Sequence, residues 1–500
     1  MDEAKSLWHK MLNATTISAI GILAGTLFYA LVLTLAEWYS TTTYIGDFVY
    51  NYYFLSVLNG DLAVPLQIIG LEGHYDEYGR AMVYHGIAPM ITRALAHPFI
   101  DLSQTDLRDF TIWLASSLGS AAFYILIRNI LRTASPMGFS LSKPLELLVW
   151  VMVWITGGGM ILVVNGSFFH EPIAVGFAAL GWFLLCVFHL QAGDFRSGKL
   201  LVVMACLAAI CGHARPHIAV GLYAAVAVCS LIMLFRQRSR AIVAVLVSMG
   251  VLGAAGLLYM GLNQLRFGSV SIVDGGVTGV EEVLYGFVFW GIEEPNSPRF
   301  LSAAEHGRFN VLRMLPNFAY YHFGLFNVWT TVNYWVLTSN AGIIRIEAPA
   351  LGFLYIWPAW LYLSAVGFVR RQVSGTVVLV MLLAALPGVL LVYSYPTITM
   401  RYRVELWAPY FIMGAFGLRS ILIGSSGEAV AGVGAIRLTT ALTALAVVVS
   451  AIGFVAYADY VNWDWGQYLR AFESCEQAVS NHPNLGVNRV AELCVIGAPE

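Results

Sequence analysis

The sequence predicts an all-α integral membrane protein with about 11 transmembrane helices. Hydrophobic residues make up 59% of its 500 residues and charged residues only 11%, and the mean hydropathy is +0.72. Water-soluble domains of this size are less apolar and more charged. Nucleic-acid binding requires a concentrated basic face, and the formal net charge of -2 gives no indication of one. We therefore expect a multi-pass membrane protein with no nucleic-acid partner.

Long apolar runs define the predicted spans, because a helix needs about 20 such residues to cross the hydrocarbon core. The runs are Thr16–Trp38, Phe110–Leu131, Leu145–Val164, Pro172–Leu190, Leu200–Gly212, Ile218–Phe235, Ala241–Leu262, Ala348–Val369, Gly375–Tyr393, Val404–Ile423 and Leu438–Ala458. Close helix packing is predicted at Gly250, Gly253 and Gly256 in the seventh run and at Gly157 to Gly159 in the third. We assign residues 1–458 to one transmembrane domain.

Basic residues occur on alternate short loops, and such loops are retained on the cytoplasmic side. These residues are Lys5, Lys10, Arg128, Arg132, Lys143, Arg196, Lys199, Arg236, Arg238, Arg240, Arg370 and Arg371. The alternation predicts a cytoplasmic N-terminus and an extracytoplasmic C-terminus. It also places the first long loop (39–109), the second long loop (263–346) and the tail (459–500) outside.

The predicted external tail contains Cys475 and Cys494. An oxidising compartment allows two such thiols to pair. We expect a disulfide bond between them. The other four cysteines lie inside predicted spans, where a thiol behaves as a small apolar residue.

The first external loop is unusually rich in charged residues for so apolar a chain. Its segment Gly46–Leu62 has aromatic and aliphatic residues at helical spacing, which predicts an amphipathic interfacial helix with Asp47 as its N-cap. A second such helix is expected over Ala88–Ala96. Asp76 and Glu77 occur where a turn is expected, a common position for acidic pairs.

Several motifs resemble those of bacterial polytopic membrane glycosyltransferases of the GT-C superfamily. In the first external loop they are Gly46 and Asp47 followed by aromatic residues, and then Gly79, Arg80, Tyr84, Gly86 and Pro89. Later motifs are HEPIAVGFAAL from His170, NQLRFGSV from Asn263 and MRYRVELWAPY from Met400. The resemblance implies a GT-C-like fold in a bacterial cytoplasmic membrane, with a role in glycan biosynthesis for the cell envelope.

The activity implied by this resemblance is sugar transfer from a polyprenyl-phosphate-linked donor. The acceptor would be a glycan, a lipid or a protein outside the cytoplasmic membrane. By position, Asp47 would be the general base or a metal ligand, since an acceptor hydroxyl needs a carboxylate to take its proton. Many members carry two adjacent acids near the first span, whereas Gly46 precedes a single Asp47 here. Asp76 and Glu77 therefore remain alternative bases.

A leaving phosphate requires cationic donors, and the forked guanidinium of arginine suits it. The candidates are Arg215, in the motif HARPH, and Arg401 and Arg403. The presence of Arg401 and Arg403 would also be explained if they anchor the chain at the membrane interface or pair with Glu405. Glu171 is either an ordinary acid at a helix start or a partner of Asp47 on a divalent cation, Mg or Mn. The remaining predicted substrate-binding residues are His170, Tyr84 and His85. Arg266 is expected to extend towards lipid headgroups.

Two other classes also fit an apolar multi-pass chain. A secondary transporter or lipid flippase would contain ionisable residues along a path through the membrane. A polysaccharide polymerase or ligase would share the lipid-linked donor and rely on the second external loop. The sequence contains no repeated halves of the kind that transporters show, which favours the transferase.

Overall fold

A computed structural model describes residues 2–39, 47–76, 79–133, 141–270, 283–289, 305–324, 345–346, 351–371, 375–423 and 429–472. Its helices are α1 (Asp2–Tyr39), α2 (Val49–Leu58), α3 (Leu66–Ile69), α4 (Met90–Ala96), α5 (Arg108–Arg132), α6 (Lys143–Trp154), α7 (Gly158–Val163), α8 (His170–Ala192), α9 (Gly198–Gly212), α10 (Pro216–Gln237), α11 (Ile242–Phe267), α12 (Gly286–Phe289), α13 (Met314–Phe323), α14 (Phe353–Ile356), α15 (Pro358–Val369), α16 (Thr376–Ser394), α17 (Arg403–Ile423) and α18 (Ala429–Phe472). The chain is mostly helical, as predicted.

Seven helical stretches among the described residues are long and apolar enough to cross a membrane. They are Thr16–Trp38, Arg108–Arg132, His170–Ala192, Pro216–Phe267, Thr376–Ser394, Arg403–Ile423 and Gly432–Tyr457. Shorter apolar helices are α9 and α15. These helices establish a multi-pass membrane protein but do not confirm the predicted number of spans. The 52-residue stretch from Pro216 contains both α10 and α11, joined through a 3-10 turn at Arg238–Ala241.

The predicted run Leu145–Val164 is not one continuous helix. It is divided into α6 and α7 at Gly157, whose backbone is extended (φ -96°, ψ 173°). A Cβ at Gly157 would lie 2.0 Å from the carbonyl oxygen of Val153, so a side chain is excluded by this contact. The prediction failed here because an apolar run shows where a span can form but not where its backbone bends.

Close helix packing is confirmed at one of the two predicted groups of glycines, since a Cβ on Gly159 of α7 would lie 2.4 Å from Ser120 Oγ on α5. It also occurs at a glycine that was not predicted. A Cβ on Gly221 of α10 would lie 2.2 Å from the carbonyl oxygen of Ala384 on α16. By contrast, Gly250, Gly253 and Gly256 of α11 have nothing within 4 Å of the corresponding position. The expected packing at the α11 glycines is therefore wrong, because α11 presents this face outward.

The first long loop (39–109) contains helices where they were expected, at α2 and α4. It also contains three strands, β1 (Ala63–Val64), β2 (His74–Asp76) and β3 (Ala81–Met82). A fourth strand, β4 (Val283–Tyr285), comes from the second long loop (263–346) and pairs antiparallel with β2 in a sheet of order β1-β3-β2-β4. The two loops thus form one cover. Elsewhere, β5 (Arg345–Ile346) pairs in parallel with β6 (Thr397–Ile398).

This cover lies against one end of the helix bundle. The backbone N–H of Ala88 donates to the carbonyl of His213, between α9 and α10, at 2.9 Å. At the C-terminal end of α11, the Arg266 guanidinium donates to the carbonyls of Val83 and His85 at 2.8 and 3.1 Å. Arg266 is buried, so its predicted extension to lipid headgroups is wrong. It fixes the loop backbone instead.

Candidate functional site: a cationic cavity and an acidic cluster

A cavity of ≈ 100 Å³ lies beneath the cover, where several helices begin or end. Its polar lining consists of Tyr84, His85, Arg215, His217, Arg308, Tyr395, Arg401, Tyr402 and Glu405. Its apolar lining consists of Phe169, Phe309, Leu391 and Val392. The cavity therefore unites four residues predicted from sequence: Tyr84, His85, Arg215 and Arg401.

Arginine side chains are prominent in the lining of this cavity. Glu405 accepts hydrogen bonds from Nε of Arg215 at 2.5 Å and from Nε2 of His217 at 2.7 Å. Arg308 and Arg401 also line the cavity, so three guanidinium groups and the Glu405 carboxylate are present among the described lining residues. An anion that enters this cavity would gain charge-assisted hydrogen bonds.

Helix termini add to this positive potential. Phe169 is the N-cap of α8 and Arg215 is the N-cap of α10, and both line the cavity. Tyr402 lines it too and directly precedes α17. The N-terminal end of a helix carries about half a positive charge. The first N–H groups of α8 and α17 are bonded to preceding carbonyls, so these ends contribute their dipoles to the potential in the cavity.

His85 contributes a neutral polar group. Burial, and then the positive charges of Arg215 and Arg401, hold the pKa of His85 well below its ordinary value. Its Nε2 atom is buried and has no hydrogen-bond partner among the described residues. The Tyr84 ring lies against the imidazole, with 3.9 Å between ring centroids. A bound ligand could supply the missing partner.

Arg401 and Arg403 differ in environment although one residue separates them. The Arg401 guanidinium lies over the Phe169 ring, 4.7 Å from its centroid, at the cavity wall. Arg403 is fully buried outside the cavity lining and donates to the carbonyls of Leu351 and Thr399 at 2.7 and 3.0 Å. Glu405 pairs with Arg215 and His217, so the expected pairing with Arg403 is not formed. Arg403 holds backbone carbonyls in place instead.

Asp47 belongs to a separate acidic cluster around Arg108. The buried Arg108 guanidinium forms ion pairs with Asp47, with Asp109 (2.9 Å) and with Glu37 (3.3 Å), and Asp106 lies 3.9 Å away. Burial raises the pKa of Asp47 to about 7, although Arg108 opposes this shift. The predicted N-cap role is wrong, because α2 begins after Phe48 and has no side-chain cap.

Glu171 and His170 lie in the first turn of α8, and both are fully buried. Glu171 forms an ion pair with Arg93 of α4, which joins the first long loop to the bundle. His170 lies within hydrogen-bond distance of Ser167 Oγ and Tyr457 OH, at 3.2 Å in each case. Both side chains thus contact protein groups rather than the cavity.

The predicted magnesium or manganese site does not fit these contacts. Asp47 and Glu171 pair with different arginines, Arg108 and Arg93. Among the residues that the structure describes, no group of three or more His, Cys, Asp or Glu side chains is arranged to hold a metal ion.

The other predicted residues have simpler positions. Asp76 Oδ1 accepts from the backbone N–H of Arg80 at 2.8 Å, which is the expected turn role. Glu77 lies outside the described residues, as do Cys475 and Cys494.

Sequence reasoning missed several residues of both sites. Those lining the cavity are His217, Arg308, Tyr395 and Tyr402, and those of the acidic cluster are Glu37, Asp106, Arg108 and Asp109. His217 had a local signal, since it belongs to the same HARPH motif as Arg215.

The fold and the cavity define a multi-pass helical membrane protein with an arginine-lined cavity at one end of its bundle. The sequence matches no family model and no curated protein. A solved structure, the Archaeoglobus fulgidus oligosaccharyltransferase in the apo form, is similar with a TM-score of 0.43 and 14% sequence identity. The match covers 87% of this chain but only 56% of that chain.

Proposed function

We propose that this protein transfers a sugar from a polyprenyl-phosphate-linked donor to an acceptor hydroxyl on a glycan, lipid or protein. One observation carries the proposal, the convergence of Arg215, Arg308 and Arg401 around one carboxylate in a cavity of a membrane protein. A lipid-linked phosphate is an anion that is delivered within the membrane. The three guanidinium groups and the helix dipoles at the cavity suit such a group.

In the proposed step, the leaving phosphate occupies the cavity. The acceptor oxygen forms a bond to the anomeric carbon while the bond from that carbon to the phosphate oxygen breaks. The phosphate departs with the electron pair, and Arg401 and Arg215 stabilise its charge through forked donors. Inversion at the anomeric carbon requires a base but no general acid, because phosphate leaves without a proton.

We assign Asp47 as the base that takes the acceptor proton. A pKa of about 7 suits a general base at neutral pH. A substantial fraction of the carboxyl group is then deprotonated, and it still has enough affinity for a proton to take one from the acceptor. Residues 166–169 connect the two sites. A Cβ on Gly166 would lie 2.6 Å from an Asp109 carboxylate oxygen, and Phe169 lines the cavity.

The membrane orientation in this proposal follows the basic loops. We propose about 11 spans, a cytoplasmic N-terminus and an extracytoplasmic site in a bacterial cytoplasmic membrane. Within the described residues, Arg128 at the far end of α5 pairs with Glu146 near the start of α6. That end is opposite the end where Arg108 meets Asp47, which supports the assignment of different sides.

Arg401→Gln tests the phosphate site. Loss of a charged hydrogen bond costs about 1.5–3 kcal/mol, so affinity for polyprenyl phosphate in nanodiscs should fall roughly ten- to a hundredfold. Arg419→Gln is the matched control, because Arg419 lies towards the other end of α17 and bonds to Thr133. Equal affinity of the Arg401 variant and the wild type would contradict the proposed phosphate site.

Transfer itself is tested with a radiolabelled polyprenyl-phosphate sugar and purified protein. Asp47→Asn should lower the rate by about two to four orders of magnitude, the contribution of a general base. Asp194→Asn is the control, because Asp194 is an exposed acid that pairs with Arg236 at the opposite end. Full activity of the Asp47 variant would exclude it as the base. Uptake of substrate into proteoliposomes without glycosylated product would favour the transporter.

A further inference from the structure

Basic residues are concentrated at the opposite end of the bundle from the cavity. Helices α8 and α10 both begin at the cavity and run to this end. The turn after α8 with the start of α9 (193–200) and the end of α10 with the 3-10 turn that follows it (236–243) together contain five basic residues and one acid. We call these five exposed residues the basic patch; they are Arg196, Lys199, Arg236, Arg238 and Arg240.

Contacts between the two turns make the basic patch one surface. Arg236 forms an ion pair with Asp194, and its guanidinium lies over the Phe195 ring, 5.2 Å from the ring centroid. A Cβ on Gly198 of α9 would lie 2.7 Å from the Cβ of Ala244 on α11. The starts of α9 and α11 are therefore in close contact, and the basic side chains of both turns lie side by side.

Most of the positive charge in the patch is uncompensated. The single acid, Asp194, is shared by Arg236 and, at 3.6 Å, by Arg196. The other three basic residues have no ion-pair partner in the part of the chain that the structure describes; they are Lys199, Arg238 and Arg240. The N-terminal end of α9 adds the positive end of its dipole. An anion at this surface would gain charge-assisted hydrogen bonds.

An exposed apolar surface adjoins the patch on the membrane side. Phe235, in the last turn of α10, is 83% exposed, and Val243, in the first turn of α11, is 71% exposed. Arg240, Val243 and Val247 are separated by three and four residues, so they lie on one face of the chain as it enters α11. Both helices belong to the apolar stretch Pro216–Phe267. A cationic surface thus lies directly above a lipid-facing one.

We propose that the basic patch binds the headgroup phosphate of an anionic phospholipid of the phosphatidylglycerol type, whose acyl chains lie along the apolar face of α10 and α11. The uncompensated cations favour a lipid with a net negative charge, since the amine of a zwitterionic lipid would be repelled. A soluble phosphate would gain nothing from Phe235 and Val243. The inference is independent of the proposed sugar transfer, because the patch lies at the other end of the bundle.

Thermal unfolding of the full-length protein in detergent tests the lipid site. A ligand that binds only the folded protein raises Tm as its concentration increases. Phosphatidylglycerol should raise the Tm of the wild type at much lower concentration than phosphatidylcholine with the same acyl chains. The variant Arg238→Gln with Arg240→Gln should weaken phosphatidylglycerol binding roughly tenfold to thirtyfold and leave phosphatidylcholine binding unchanged. Both side chains are exposed, so the variant should fold.

Two further variants separate the patch from general effects. Arg370→Gln with Arg371→Gln removes two exposed arginines at the same end of the bundle, where Arg370 donates to the carbonyl of Ser420. This control should bind phosphatidylglycerol as the wild type does. Arg238→Lys with Arg240→Lys keeps both charges and should bind it nearly as well.

Several results would overturn the lipid site. They are equal binding of the two lipids by the wild type, wild-type affinity in the glutamine variant of the patch, an equal loss in the control, and an equal loss in the lysine variant. Glycerol 1-phosphate carries the phosphate without acyl chains. If it raises the wild-type Tm as much as phosphatidylglycerol does at the same concentration, the patch binds a soluble anion and the lipid assignment fails.

Discussion

Replacement of Glu171 by Gln should strongly destabilise the junction between the external loop and the bundle. Both Glu171 and Arg93 are 0% exposed, so the change leaves a buried guanidinium without its counter-charge. Arg93 keeps neutral partners, with Nε bonded to Asn51 at 2.9 Å and Nη1 to Thr111 at 2.7 Å. Removal of one member of a buried pair costs about 3–5 kcal/mol, whereas an exposed pair contributes about 0–1 kcal/mol.

Thermal unfolding in detergent measures this effect, with Asp61→Asn as the matched control. Asp61 pairs with Arg80 in the same loop at 2.6 Å, but both side chains are about half exposed. We expect a large fall in Tm for Glu171→Gln and little change for Asp61→Asn. The double variant Arg93→Met with Glu171→Leu should recover roughly half of the loss, because no charge then remains buried.

Two results would refute this reasoning. A Tm of Glu171→Gln within error of that of Asp61→Asn would show that the buried pair does not hold the loop. A double variant less stable than Glu171→Gln would show that Glu171 has a role beyond pairing with Arg93. The second result would reopen the predicted role of Glu171 as a ligand.

Three further outcomes follow from single features. Gly221→Ala should lower the free energy of unfolding by about 1–3 kcal/mol through overpacking. Gly253→Ala, in open space on a helix, should raise it by about 0.5–1 kcal/mol. Thermal unfolding should therefore show a lower Tm for the first variant and a higher Tm for the second. Because the pKa of Asp47 is raised from 3.8 to about 7, the folded chain holds a proton that the unfolded chain releases between these pH values. The stabilising effect of this proton is complete below pH 3.8 and is lost as pH rises through 7. Sugar transfer should increase as pH rises through 7, because the base is then deprotonated. Asp47→Asn should remove both dependences in denaturation and rate profiles. Alkylation of non-reduced protein should spare Cys475 and Cys494, and mass analysis showing both modified would exclude their disulfide.

The helices were predictable because their signals are local. Long apolar runs correspond to helices α1, α5 and α8, and the two short helices α2 and α4 occur where amphipathic spacing placed them. Gly157 was less predictable, since the interruption there depends on contact with the carbonyl of Val153. Likewise, the outward face of α11 depends on its neighbours and not on its own glycines.

The candidate site was predictable only in part. Arg215 and Arg401 were identified from motifs at the ends of apolar runs, where a cation is costly unless it has a role. Arg308 carried no such local signal, because the second loop is rich in charges throughout. Arg93 was part of the charge-rich first loop, but nothing in the sequence paired it with Glu171, since 78 residues separate them.

By itself, the sequence determined the membrane class, most helix positions and the loop that covers the site, because hydropathy and helical spacing are properties of short segments. Only the tertiary structure decided which charges meet. It brought Glu405 to Arg215 across 190 residues and Arg108 to Asp47 across 61. Such pairings arise from helix packing and from the cost of leaving a buried charge unpaired, and both depend on the whole bundle.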